Sequence, residues 1–449
     1  MAGIVAWMAI WWISEAVPLP VTSLLPLVLY PMFGIESVAA TAMHYGREII
    51  FLFLGGFILA LAIERSGAHK RIALHIISWT GGSPGGAILG IMVACALLSM
   101  WINSTATTLV MLPIALSLLD DESSPADVRQ RMTIPLLLAV AYGATIGGMS
   151  TPVGTPPNLI LIEFLRQYHA EGASIGFGEW MAFGLPITLI LLLLAWVVLT
   201  RMAFNTGKVP LGERKEVRRK LSDLGPLSTH EIRALTIFSV VALLWITGDD
   251  LRWGEEWTLH GWRHHTGLVM ISDAAVAVAG AMALFLMPAY GSHEGKDALM
   301  EWRFAEARVP WGVLLLIGGG FALGAGMDRS GLSTIFGNVL TGIGALPPVL
   351  LIGVVVLVVC LLSELGSNTA TASLVIPILA GTGASWGLGA EQLLIPATLG
   401  ASLGFMLPVA SPMQTIVFGT GRIPVRQMVK AGLWMDLFGV LVLALYFGL

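Results

Sequence analysis

The sequence predicts an all-α polytopic membrane protein. It is built from two inverted repeats, each with a re-entrant helical hairpin and a broken transmembrane helix. Three observations carry this expectation. Of 449 residues, 56% are apolar and 12% charged, whereas a soluble domain carries about 25% charged residues. Mean hydropathy is +0.83, and long apolar runs recur along the whole chain. Finally, one small polar phrase occurs twice in apolar surroundings, as Ser99-Met-Trp-Ile-Asn-Ser-Thr-Ala-Thr107 and Ser363-Glu-Leu-Gly-Ser-Asn-Thr-Ala-Thr371.

Apolar segments at 3–14, 18–33 and 48–64 open the chain. At 69–80, His69, Lys70, Arg71 and His75 interleave with Ile72, Leu74, Ile76, Ile77 and Trp79, which suits an interfacial amphipathic helix. The stretch 86–119 holds the first polar phrase at mid-length. Each arm is then about 14–16 residues, short of the roughly 20 that a spanning helix needs. A hairpin with the phrase at its tip follows. The run 130–165 is interrupted by Gly147-Gly-Met-Ser-Thr-Pro-Val-Gly-Thr-Pro-Pro-Asn158. Proline there frees carbonyls, and irregular backbone at membrane depth is tolerated only in a cavity wall or within protein.

Spans at 181–200, 232–247 and 271–289 come next. A basic linker at 201–233 and a Trp-, His- and charge-rich segment at 249–270 separate them. The histidines at 260–265 read as part of an interfacial belt, because their spacing fits no ligand motif. The second half repeats the plan: a span at 311–327, a hairpin at 347–381, and a run at 391–420 broken by Pro408-Val-Ala-Ser-Pro-Met-Gln414. A last span covers 431–449.

Register proves the repeat. Gly55-Gly56-Phe57 matches Gly319-Gly320-Phe321, and Glu64-Arg65-Ser66-Gly67 matches Asp328-Arg329-Ser330-Gly331. Ser99, Thr105, Thr107 and Pro113 match Ser363, Thr369, Thr371 and Pro377. The offset is 264 throughout (319 − 55, 328 − 64, 363 − 99). Gly154-Thr155-Pro156 pairs with Ala410-Ser411-Pro412 at an offset of 256 (410 − 154). This is an internal duplication. The mates at 48–64 and 311–327 are five spans apart, so they point oppositely, as in secondary transporters with a site at the repeat interface. Of the 24 basic residues, only Arg47, Arg166, Arg252, Arg263 and Arg329 fall on one side, which is therefore external. The C-terminus lies outside, and the first hairpin enters from the cytoplasm. The N-terminus starts outside after a couple of residues, so a preceding helix is expected to be missing from this chain.

The tips and breaks offer hydroxyls, amides, freed carbonyls and helix N-termini, but no Arg or Lys. Dipoles and co-bound cations must then meet the charge of a bound anion. Hard oxygen ligands favour a hard cation such as Na⁺. No histidine and no acid pair lies near either tip, which excludes an intramembrane enzyme. Glu364 is a functional candidate as an intramembrane carboxylate, with a structural role equally open. Glu15 reads as a turn brace, Asp273 as a helix cap, and Glu64 and Asp328 as solvated pairs with their neighbouring arginines. Cys95 and Cys360 read as small core residues. The net charge of −4 says little about partners; membrane lipid is expected and nucleic acid is not.

At these phrases the chain resembles the divalent-anion:sodium symporter family, the INDY-type dicarboxylate, citrate and sulfate carriers. Ser367-Asn368-Thr369 and Gly154-Thr155-Pro156-Pro157-Asn158 match its signatures, and Leu407-Pro408-Val409-Ala410-Ser411-Pro412 is similar to its second break. The resemblance implies a homodimeric elevator in a bacterial inner membrane. Scaffold helices would lie at 1–47 and 181–310, transport elements at 48–180 and 311–430, and a C-terminal helix at 431–449. It implies two sodium sites: Ser99, Asn103, Ser104 and Gly154 in the first, and Ser363, Asn368 and Ala410 in the second. It places a divalent organic or inorganic anion against Asn103, Ser104, Thr105, Ser367, Asn368 and Thr369, with Thr155 and Ser411 alongside. Two departures stand out. The first tip reads Asn103-Ser104-Thr105, with Asn and Ser exchanged, and the second break ends in Met413-Gln414 where Pro-Asn is the pattern. A sodium-independent dicarboxylate exchanger or a proton-coupled carrier on the same fold is the alternative.

Overall fold

The computed structural model describes residues 1–80, 83–120, 125–168, 175–207, 219–253, 257–289, 298–332, 335, 346–383, 386 and 388–449. Lys208, Arg214, Lys215, Arg218 and Lys296, expected on the cytoplasmic side, lie outside the described residues. Among those described, six helices are long and apolar enough to cross a membrane: Val38–Ser66, Ala126–Gly148, Phe177–Met202, Thr229–Ile246, Trp311–Arg329 and Val425–Gly448.

Both polar phrases form tips between short helices. The first joins Pro84–Ser99 to Ser104–Leu119, each of 16 residues. The second joins Pro348–Glu364, of 17 residues, to Asn368–Gly383, of 16. All four arms fall short of a bilayer crossing. Both broken runs are also present, as Ala126–Gly148 then Pro156–Tyr168, and Ala390–Gly400 then Pro412–Phe418. Pro156 and Pro412 open the outgoing helices, where their missing N–H costs nothing.

Packing follows the repeat. The arms of the first hairpin lie on Ala126–Gly148, and those of the second on Ala390–Gly400. The halves then exchange elements. Pro156–Tyr168 packs on the second hairpin's outgoing arm, and Pro412–Phe418 on the first hairpin's outgoing arm. Each break thus sits against the other half's tip helix. Ala126–Gly148 is the centre of the core: Leu136, Leu137, Leu138, Val140, Ala141 and Tyr142 are all fully buried, as expected of a helix that is apolar all round. The repeated Gly-Gly-Phe also has a packing reason. A Cβ on Gly55 would lie 2.6 Å from the Ala277 carbonyl carbon, and one on Gly319 would lie 2.6 Å from Ser23. Close helix contact requires the small residue at both places.

Three expectations change. The stretch at 18–33 is two short helices, Leu19–Thr22 and Leu25–Met32, since Pro18, Pro20 and Pro26 each remove a backbone donor. Asp273 is not the cap: Ser272 Oγ accepts from Ala275 N, while Asp273 pairs with Arg263 at 2.5 Å. Neighbours on a helix do not face each other, and Glu64 accordingly pairs with Arg308 (2.8 Å), Arg65 with Glu301, and Arg329 with Glu36 (3.1 Å). The belt segment folds as an antiparallel ribbon, β1 (Leu251–Trp253) on β2 (Trp257–Leu259). The stretch read as amphipathic forms a helix, Ala68–Thr80.

Candidate functional site

The first tip and first break converge on a cluster of oxygens. Ser99 Oγ donates to the Ala144 carbonyl (2.6 Å) and meets Ser104 Oγ at 2.7 Å. Ser104 Oγ in turn lies 3.4 Å from the Gly154 carbonyl. Only glycine fits here: a Cβ on Gly154 would lie 2.5 Å from the Gly148 carbonyl and 2.9 Å from the Ser99 carbonyl.

The second half builds the same cluster with equivalent residues. Ser363 Oγ donates to the Ala401 carbonyl (2.5 Å) and lies 2.9 Å from the Asn368 carboxamide. With its nitrogen turned inward, that carboxamide donates to the Ala410 carbonyl (2.9 Å), Ser363 Oγ (2.9 Å) and the Ala401 carbonyl (3.3 Å). Beside each helix carbonyl, Thr145 and Ser402 hold buried hydroxyls without a protein partner. Carbonyl and hydroxyl oxygens dominate both clusters, and such ligands fit a hard monovalent cation. Asn103 stands apart from the first cluster. Its Oδ1 caps the outgoing arm by accepting from Thr105 N at 2.8 Å.

A cavity of about 680 Å³ brings the tips together. Thr105 from the first tip, Ser367 from the second, and Ser411 and Thr415 from the second break line it, with Ser14 and Glu15 from the first helix. Thr105 Oγ1 also lies 3.8 Å from Met413 Sδ, bridging the halves directly. None of the lining residues is Arg or Lys. Thr105 and Asn103 also line a second cavity, of about 420 Å³, with Glu64 and Arg308. Ser104 and Asn368 are buried, and neither they nor Thr155 and Thr369 line the larger cavity.

Carboxylates and amides hold the breaks open. Glu364 accepts from Met406 N (2.7 Å) and Leu407 N (2.8 Å), and Asp436 Oδ1 accepts from Phe405 N (3.3 Å). Three successive amides of the second break are thereby satisfied inside the protein, as the bilayer requires. In the first half, where Met100 replaces Glu364, Thr151 Oγ1 donates to the Met100 carbonyl instead. Asn158 Nδ2 donates to the carbonyls of Thr151 (2.8 Å) and Gly148 (3.1 Å). Gln414 stands at the equivalent place, fully buried, and neither of its carboxamide atoms has a partner. The sequence reading missed Asp436 and the cavity position of Glu15. A carboxylate inside the last apolar span was the available signal for Asp436.

A family profile described as "Sodium:sulfate symporter transmembrane region" matches residues 1–449. The chain is 38% identical over 452 residues to a protein named sodium-dependent dicarboxylate transporter SdcS from Staphylococcus saprophyticus, covering 99% of this chain and 84% of that one. It is 37% identical over 450 residues to the protein of the same name from Staphylococcus aureus, with the same coverage. Among solved structures, that of the Alcanivorax borkumensis YdaH transporter matches with a TM-score of 0.58 and 18% identity, over 89% of this chain and 84% of that one. The last likeness concerns the fold alone.

Proposed function

Because this chain belongs to the sodium:sulfate symporter family, we propose that it imports dicarboxylates such as succinate or malate together with sodium. The cavity shared by Thr105, Ser367 and Ser411 carries the reading. It offers hydroxyls and helix N-termini to a carboxylate at each end of the substrate, with an oxygen cluster behind each tip. The net negative charge is then balanced by cations in the clusters, since no basic side chain lines the cavity. That balance makes coupling obligatory: an empty cluster leaves the dianion without a countercharge. The names of the SdcS relatives favour a dicarboxylate over sulfate. Ser99, Ser104, Gly154 and Ala144 would hold one sodium, and Ser363, Asn368, Ala401 and Ala410 the other.

The one-sided distribution of basic residues supports a C-terminus outside, and the family resemblance further supports a homodimer in a bacterial inner membrane. In it, the hairpins and breaks slide as one body against a scaffold. Arms too short to span suit such a body. Uptake of labelled succinate into proteoliposomes tests this reading. Accumulation is expected under an inward sodium gradient and not with potassium or choline in its place. Sodium-independent uptake driven by internal dicarboxylate would establish an exchanger, and uptake driven by a proton gradient would establish a proton-coupled carrier.

A further inference from the structure

Away from the transport site, Asp250, His260 and His264 bring three metal-ligating side chains within reach of one another. The ribbon makes the encounter. Its register pairs Leu251 with Leu259, so the next position on each side, Asp250 and His260, closes the open end. His260 Nδ1 lies 2.9 Å from Asp250 Oδ2. His264 stands four residues on, in the single turn Trp262–Thr266, and brings its Nδ1 to 3.7 Å from the same oxygen. The two imidazoles stack with centroids 4.0 Å apart and planes 15° apart.

The frame beneath is fixed. Asp250 Oδ1 accepts from Gly261 N at 2.8 Å, which orients the carboxylate. Trp262 donates through N to the Thr247 carbonyl (2.9 Å) and through Nε1 to the Leu244 carbonyl (2.8 Å). Arg263 is buried and forked to Asp249 (2.7 Å) and Asp273 (2.5 Å). The histidine-bearing turn is thus pinned to the ends of two helices, the rigid mounting that a ligand set requires.

A proton explains only part of this arrangement. It joins His260 to Asp250, but His264 Nδ1 at 3.7 Å is outside hydrogen-bond distance. An ion between them satisfies all three groups together. We propose that Asp250, His260 and His264 form a surface site for a divalent transition-metal ion of the zinc or copper type. Two imidazoles with one carboxylate suit these ions, while sodium, calcium and magnesium prefer oxygen alone. The imidazole of His264 is 57% exposed, so the ion is reachable from solvent and water completes its coordination. Bound metal clamps the base of the ribbon, in a loop with no part in the transport cavity.

Zinc binding to the purified full chain in detergent, measured by competition with a chromogenic chelator, tests the site. One equivalent is expected for the wild type. Affinity should fall by more than about tenfold in both H260A and H264A, since even an outer-shell partner costs that much. H75A, altering an exposed histidine elsewhere, should bind as the wild type does. H264A keeps the Asp250–His260 bond and so the closed ribbon. Melting without metal checks its fold, and zinc should raise the midpoint of the wild type but not of H264A. Cobalt(II) should give the wild type a visible absorption band that H264A lacks. Equal zinc affinity in wild type, H260A and H264A, or no single-equivalent binding at all, overturns the proposal.

Discussion

Ser104 and Asn368 hold equivalent places in the two halves. Each faces the serine five residues before it, Ser99 at 2.7 Å and Ser363 at 2.9 Å, and each reaches the carbonyl of its partner break, Gly154 or Ala410. The exchange of Asn and Ser in the first tip therefore moves the carboxamide out of the cluster. Asn103 caps the helix, and a hydroxyl remains where the second half has an amide.

This asymmetry sets the first prediction. A hydrogen bond to a charged group is worth about 1.5–3 kcal/mol, and each 1.4 kcal/mol is about tenfold in affinity. Asn368→Ala removes a side chain that reaches three oxygens, and should raise the sodium concentration for half-maximal uptake by about a hundredfold. Ser104→Ala should raise it by about tenfold. Sodium titration of succinate uptake measures both. An unchanged curve in Asn368→Ala would remove that residue from the sodium site.

Thr105→Ala and Ser367→Ala act on the cavity, not on the clusters. Each deletes one hydroxyl lining the cavity and, on the proposed reading, should weaken half-saturation by succinate about tenfold, with the sodium curve moving less. Measuring both curves on the same vesicles separates the roles. A larger effect on sodium than on succinate would place these residues in the ion sites.

Arg263→Ala tests the mounting of the external loop. Arg263 is buried and forked between Asp249 and Asp273, so truncation strands the mostly buried Asp273 carboxylate. The expected loss is on the order of 3 kcal/mol, read as a lowered melting midpoint. Arg422→Ala, which breaks a solvent-exposed pair with Asp120, should cost less than about 1 kcal/mol.

The hairpins and breaks were legible because duplication writes them twice: Ser99 and Ser363, or Gly154 and Ala410, keep register over half the chain. Proline and glycine mark both breaks by backbone chemistry that no packing overrides. Other features depend on the tertiary approach of distant segments. Asp436 meets Phe405 only because the last helix folds back, and Glu15 lines the cavity only because the first helix ends there. The stacked histidines needed a ribbon whose strands, three residues each, are too short to leave a periodicity. Pairing of Glu64 with Arg308 was hidden for the same reason: the sequence offers Arg65 next door, but helix geometry turns it away.

Gly154 provides the sharpest test of how tip and break fit. A Cβ there meets the Gly148 carbonyl at 2.5 Å, Gly148 Cα at 2.8 Å and the Ser99 carbonyl at 2.9 Å. All three atoms are backbone, so no rotamer change relieves the clash. Gly154→Ala must push the break away from the hairpin, and with it the carbonyl that faces Ser104. Overpacking of this kind costs about 1–3 kcal/mol, and the displaced carbonyl should weaken sodium dependence as strongly as Ser104→Ala does. The second half already carries a methyl at the equivalent position, Ala410, fully buried and tolerated. Ala410→Gly should therefore cost about 1 kcal/mol or less, mainly through backbone entropy. Melting curves and sodium titrations of the two variants side by side check this. Equal behaviour would mean that the two clusters are not packed as differently as their backbones indicate.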